Sequence, residues 1–235
     1  MPAAGSGARF EAAAVARPAA DAGAAPVRPK QYLPLAGATV IEHALAPFRA
    51  DARCSGIVVA LAAGDRWWQG LPAARDARIV TVTGGDERRD SVAAGLATVR
   101  ARVGAGDPWV LVHDAARPCA PAADLERLLV AIADEPHGAL LGLPISDTVK
   151  RAGDDGRVEA TVDRARLWRA FTPQAFRLRR LEAALAAGGS ASDEASAVER
   201  LGDRPRLVPG SPLNVKITEA GDLELARHVL GGTQA

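Results

Sequence analysis

Short β-branched runs alternate along this chain with longer segments rich in Ala, Leu and Arg, a rhythm that few folds accommodate. The runs at 56–62 (GIVVALA), 78–83 (RIVTVT), 109–113 (WVLVH) and 137–143 (HGALLGL) read as strands bounded by turn residues. They are apolar with little alternation, as strands are when helices cover both faces of a sheet. Helical patterns occupy 39–50, 87–103, 121–133, 178–187, 193–201 and 219–230. The third opens on Pro121, whose missing N–H costs little in a first turn. The alternation predicts an α/β fold on a doubly wound, mostly parallel sheet, and 235 residues fit it as one domain.

Two stretches break the rhythm. Residues 11–28 are dominated by Ala and Pro, with few large apolar side chains, and read as a mobile excursion. From Ser146 to Phe171 apolar and polar residues alternate around a Gly/Asp-rich turn at 152–157, which predicts a projecting antiparallel β arm over 144–171. The start, MPAAGSG, is a phosphate-loop type of sequence. Such loops hang from a central strand, so a first strand is expected upstream of Met1.

Composition removes several classes of function. The chain is 48% hydrophobic and 24% charged, the balance of a globular core. No apolar run approaches the ~20 residues of a membrane span, so an integral membrane protein is excluded. A net charge of +1 argues against a nucleic-acid partner. Cys54 and Cys119 stand far apart in no metal-ligand spacing, which excludes a zinc cage and a disulfide framework. With no charged-then-apolar leader, a reducing, cytoplasmic location is expected. Four scattered histidines leave little material for histidine-based metal chemistry.

Several local motifs carry candidate chemistry. In PAAGSGAR, Gly5 and Gly7 permit positive φ and leave amide N–H groups for phosphate oxygens, and Arg9 adds a charge. The motif is neither a P-loop nor a complete dinucleotide fingerprint, and no acidic ribose-binding residue follows at the right distance, so a dehydrogenase is disfavoured. Lys30 stands between Pro29 and the apolar Tyr32–Leu33. The run GGDERRDS at 84–91 follows a strand and enters a helix, at the carboxyl edge where open α/β sheets bind ligands. Helix capping by itself explains Asp86. In HDAARP, Asp114 leaves a buried strand beside small residues and Arg117, well placed for a divalent cation next to a phosphate. His113 reads as a packed or hydrogen-bonded strand-end residue. The arm offers Asp147–Lys150 and Thr161–Arg164 on opposite halves of its ribbon, and SDEAS at 192–196 reads as a helix cap with an acidic first turn. Lys216 lies inside the apolar, strand-like NVKIT, where a lysine is costly unless it reaches a cavity or an anion.

Taken in order, PAAGSGAR, PKQYLPL, GGDERRDSV, VHDAARP, DTVK, TVDR, TPQAF, SDEAS and NVKIT resemble the motifs of the 2-C-methyl-D-erythritol 4-phosphate cytidylyltransferases of the non-mevalonate isoprenoid pathway. The likeness runs from Pro2 to about Val229, and the ordered set carries it rather than any single motif. It implies a Rossmann-like sheet and a homodimer whose β arm reaches over the partner subunit. It also implies a Mg²⁺-dependent reaction that joins CTP and methylerythritol phosphate and releases pyrophosphate. Arg9, Lys30 and Lys216 would then be the catalytic cations on the CTP phosphates, with Gly5 and Gly7 in the loop. Ala3, Ala4, Gly85, Asp86, Arg88 and Ser91 match the cytidine pocket, and Asp114 the Mg²⁺-linked acid. Arg117, Thr148 and Ser192 match the methylerythritol phosphate site, together with Arg164 and Thr172 from the partner's arm.

Three departures stand out: the first strand, the long segment between Phe10 and Pro29, and Ser192 where a threonine is common. The chemistry agrees with the scarcity of histidine. A phosphate monoester has its second pKa near ~6 and is largely dianionic at neutral pH, so the nucleophile needs no general base. Two alternatives remain at this level. One is a cytidylyltransferase for another polyol phosphate such as ribitol 5-phosphate; the other is a catalytically silent nucleotide-binding module.

Overall fold

A computed structural model of the chain describes residues 1–3 and 28–232. Its main elements, in chain order, are β1 (Pro34–Leu35), β2 (Ala38–Thr39), α1 (Val40–Ala50), β3 (Ile57–Leu61), β4 (Ile79–Thr83), α2 (Arg88–Val103), β5 (Trp109–Val112), α3 (Ala122–Ala131), β6 (Ala139–Pro144), β7 (Val149–Ala152), β8 (Val158–Val162), β9 (Trp168–Arg177), α4 (Leu178–Ala186), α5 (Glu194–Glu199), β10 (Arg206–Pro209) and α6 (Ala220–Gly231). Helix starts follow local chemistry. Thr39 and Glu42 close a capping box on α1, Glu87 and Asp90 one on α2, and Asp193 and Ser196 one on α5.

The chain is α/β as expected, but its sheets are mixed rather than mostly parallel. β3 and β4 pair in parallel, from Ile57 opposite Ile79 to Leu61 opposite Thr83. Met1–Ala3 run beside β3, with a parallel bridge between Pro2 and Ala60. A second sheet has the order β10-β6-β9-β5, in which β9 is antiparallel to both β6 and β5. The reason is the way the chain returns: it leaves β6 through a hairpin, not a crossover helix, and a hairpin return is antiparallel. Phe171, the expected end of the arm, and Thr172, expected to act from the partner's arm, therefore lie on a central strand, buried from Phe171 to Phe176.

The arm itself is the separate β7–β8 ribbon, with Val149 opposite Val162 and Lys150 opposite Thr161. It is narrower than expected, since Pro144 belongs to β6 and residues 168–171 to β9. The last strand is β10, not the 214–218 run, which packs as an irregular segment through an Ile217 N–H bond to the Ala116 carbonyl at 2.8 Å. Helices cover both faces. On one, Val92 and Leu96 of α2 and Leu181 of α4 pack with Val112, Leu140 and Phe176. On the other, Leu128 joins Leu141, Phe171 and Val208.

Candidate functional site

β5 delivers its chain end into a buried turn, and there the charges of four distant segments meet. Asp114 is 7% exposed. Its Oδ1 accepts from Arg88 Nε at 3.0 Å, its Oδ2 from Lys216 Nζ at 2.8 Å, and Arg117 Nε stands 3.7 Å away. Burial by itself opposes ionisation. The charges of Arg88, then Lys216 and Arg117, outweigh it and hold the carboxyl well below the usual carboxylate range. Lys216 thus reaches an anion, as its apolar setting required. Lys30 joins the same place from the N-terminal side, its Nζ donating to the Ile217 carbonyl at 2.9 Å.

Behind Arg88 stands a residue that the sequence offered only as a first-turn acid. Glu194, 2% exposed, takes the guanidinium with both oxygens, at 2.5 Å to Nη1 and 2.9 Å to Nη2. Such a fork fixes orientation as well as charge. Gln174 of β9 sets α5 in place for this, donating to Asp193 at 2.8 Å and accepting from the Ala195 N–H at 2.9 Å. On the other side, α2 is placed by a turn that only glycine fits: a Cβ on Gly85 would lie 2.3 Å from Asp90 Cβ. Three cations around two carboxylates leave the cluster positive, and Lys30 adds to it.

His113 is a hydrogen-bonded strand-end residue, as expected. The Thr172 hydroxyl oxygen accepts from the Asp114 N–H at 3.0 Å, and its own proton goes to His113 Nδ1 at 3.1 Å because Nε2 must carry the ring proton that faces the Arg117 carbonyl. The other ring nitrogen then donates to the Arg117 carbonyl at 3.2 Å, and the imidazole is neutral. Burial pushes its pKa down from 6.5 to about 4. Between those values the unfolded chain binds a proton that the folded chain refuses. Stability must therefore fall as pH drops through this window, by up to about 3 kcal/mol from this residue. Urea unfolding at pH 7 and pH 5 should show a smaller loss for His113→Gln than for the parent chain. Identical losses would remove His113 as the source.

The remaining sequence-predicted residues distribute as follows. Ala4, Gly5, Gly7, Arg9 and residues 11–27 lie outside the described residues. Ala3 is buried beside β3, and its carbonyl accepts from Gln31 Nε2 at 2.8 Å. Ser91 is buried with its hydroxyl 3.4 Å from the Gly85 carbonyl. Asp86 is exposed, and the helix cap is Glu87, one residue later than capping suggested. Arg117 is largely engaged by the fold, donating to the Asn214 carbonyl at 2.8 Å with its guanidinium over the Phe171 ring. Thr148 and Arg164 are exposed at the same, open end of the ribbon, just before β7 and just after β8, Arg164 donating to the Ser146 carbonyl. Ser192 is exposed, 3.5 Å from the Ser196 hydroxyl. Thr172, in contrast, is 3% exposed in its own subunit's core. Among the described residues no three His, Cys, Asp or Glu side chains form a metal-holding group.

Comparison with known proteins follows this geometry. A family model described as 2-C-methyl-D-erythritol 4-phosphate cytidylyltransferase matches residues 1–232. The protein of that name from Pseudomonas syringae pv. tomato is 48% identical over 232 residues, covering 97% of this chain and 92% of its own length. The one from Pseudomonas entomophila is 48% identical over 236 residues, covering 99% and 94%. A crystal structure of 4-diphosphocytidyl-2C-methyl-D-erythritol synthase superposes with a TM-score of 0.79 at 38% identity, over 86% of this chain and 95% of that one. The Francisella tularensis 2-C-methyl-D-erythritol 4-phosphate cytidylyltransferase superposes at 0.74 with 32% identity, over 86% and 93%.

Proposed function

Because this chain belongs to the 2-C-methyl-D-erythritol 4-phosphate cytidylyltransferase family, we propose that the Asp114 cluster is the place where its CTP phosphates are held. The chain transfers the cytidylyl group of CTP to 2-C-methyl-D-erythritol 4-phosphate, giving 4-diphosphocytidyl-2-C-methyl-D-erythritol and pyrophosphate. One observation supports the site: Lys30, Arg88, Arg117 and Lys216, from four separate segments, gather at the Asp114 turn and at the segment carrying Lys216.

The reaction brings a phosphate dianion to a triphosphate, so its barrier is chiefly electrostatic, and preorganised cations lower such barriers. Lys216 is the most exposed of the three cations that face Asp114, its side chain 40% exposed against 29% for Arg88 and 13% for Arg117. It can turn its ammonium to a phosphate oxygen without leaving Asp114 unpaired, because Arg88 remains. Arg88, gripped by Glu194, keeps the acid ionised and in place. Lys30 approaches from the Ile217 side.

A divalent cation fits this donor set. Mg²⁺ is commonly held by one or two carboxylates together with substrate phosphates, and Asp114 offers one carboxylate oxygen once Lys216 leaves its Oδ2. Asp114 would hold the ion, which when bound neutralises phosphate charge. The ribbon supplies the second part of the proposal. A two-stranded hairpin is marginal alone, and this one leaves Val158 63% exposed. It would dock on a second subunit as a homodimer, bringing Thr148 and Arg164 to the partner's methylerythritol phosphate. Thr172 is set apart from that role by its bonds to Asp114 and His113 of its own chain. A cytoplasmic location accords with two free cysteines, and no helix among the described residues is long and apolar enough to cross a membrane.

The test is the arm. Arg164→Ala should raise KM for methylerythritol phosphate about tenfold and leave KM for CTP unchanged, as loss of one charged hydrogen bond predicts. Mixed with Lys216→Ala protein it should regain part of the pyrophosphate release of the parent chain. Absence of any regain in mixed dimers would assign Arg164 to its own subunit.

A further inference from the structure

The turn that carries Lys30 is too short to hold itself in place. Lys30–Tyr32 is a single 3₁₀ turn, in which the Tyr32 N–H donates to the Pro29 carbonyl at 2.9 Å and the Leu33 N–H to the Lys30 carbonyl at 3.2 Å. A helical piece of this length fixes several backbone angles for one or two bonds, and it persists only through tertiary contacts. Lys30 nevertheless has to carry its Nζ to the Ile217 carbonyl, 187 residues away in the chain. Its four-carbon stem is flexible, so the place of the ammonium depends on where the backbone of the turn is held.

The side chains on either side of Lys30 supply those contacts, and two of them end on one loop. Gln31 Nε2 donates to the Ala3 carbonyl at 2.8 Å. The Tyr32 hydroxyl donates to Asp65 Oδ2 at 2.7 Å, and Arg28 lays its guanidinium over the Trp67 ring, 4.8 Å from the centroid. Asp65 and Trp67 belong to the loop that leaves β3, where Gly64 turns the chain at a φ of +71°. Asp65 also builds this loop, since its Oδ1 accepts from the Trp67 N–H at 3.0 Å and the Trp68 N–H at 2.9 Å. Trp68, 2% exposed, seats the loop in the same apolar cluster as Tyr32, Ile41 and Val59. One carboxylate thus ties the end of β3 to the turn of Lys30. Burial first, and then the Asp65 carboxylate, push the Tyr32 phenol well above its usual range, so it stays a donor.

We propose that Asp65 is a positioning residue for cytidylyl transfer, acting through the Tyr32 hydroxyl to hold the Lys30 ammonium at the phosphate site. The inference rests on the reading of Lys30 as a catalytic cation. A misplacement of about 1 Å in such a group can cost on the order of 10²-fold in rate, so one bond at the base of the turn is enough to matter. Arg28 on Trp67 is the weaker tie, because Arg28 is exposed and an exposed cation–π pair contributes little.

The experiment is a double-mutant cycle of Tyr32→Phe and Lys30→Ala, read as pyrophosphate release from CTP and methylerythritol phosphate. Tyr32→Phe keeps the packed ring and removes only the hydroxyl. It should lower turnover about tenfold in the parent chain, and less than about twofold once Lys30 is alanine. The shift it causes in the thermal midpoint should be the same in both backgrounds, because the bond itself is lost in both. Asp65→Ala is the second arm and should show the same dependence on Lys30. Equal fold-losses of turnover with and without Lys30 overturn the proposal, since they leave the bond a merely structural part. Parental turnover in Tyr32→Phe, beside a low turnover in Lys30→Ala, overturns it while the catalytic reading of Lys30 stands. Parental turnover in Lys30→Ala overturns that reading itself, and the proposal with it. If Asp65→Ala does not fold, the Tyr32→Phe cycle decides without it.

Discussion

Lys216→Ala should lower turnover about 10²–10³-fold while CTP affinity changes by less than about tenfold, the range seen when one preorganised donor to a developing charge is removed. The asymmetry follows from geometry. In the resting site Lys216 Nζ rests on Asp114 at 2.8 Å, so its ammonium is already neutralised there and adds little to ground-state attraction for CTP. Its value appears when charge spreads at the α-phosphorus and the amine can follow it. Removing it does not collapse the cluster, since Arg88 and Arg117 still face Asp114. Steady-state pyrophosphate release and calorimetric CTP titration on the same preparation separate the two effects. A variant with parental turnover takes Lys216 out of the mechanism.

Glu194→Ala should destabilise the folded chain by about 3 kcal/mol, near the lower end for breaking a buried ion pair. The lower end applies because Arg88 keeps Asp114 as a partner and its side chain is 29% exposed, where solvent screens part of the loss. For a chain of this size that corresponds to a midpoint lower by about 6–12 °C. Glu194→Gln, which keeps the shape and one acceptor, should lose distinctly less. Chemical denaturation of the three proteins checks this. If alanine and glutamine cost the same, the charge on Glu194 is not what holds Arg88, and the fork is packing alone.

Much of this site was readable one residue at a time. Asp114 stood at the end of an apolar strand, and strand ends at the carboxyl edge are where α/β sheets place ligand-binding acids. Lys216 declared itself by its cost, since an ammonium in an apolar run must reach an anion. Glu194 gave no such sign. An acid in the first turn of a helix has a sufficient local explanation, and Arg88, its true partner, is 106 residues away. The arm was drawn too long, through Phe171, for a related reason. Pro and Gln inside FTPQAF look unlike a strand, yet Gln174 is buried because Asp193 and Ala195 take both ends of its amide.

The sequence by itself determined the local elements: periodicity and capping residues specify helix and strand within a few residues' reach, and nearly every helix boundary lies where they put it. Tertiary structure alone decided that β9 runs antiparallel to both its neighbours and which charges meet. Those are pairings between segments far apart in the chain, and their energies come from burial and Coulomb attraction at short range, which no local pattern encodes.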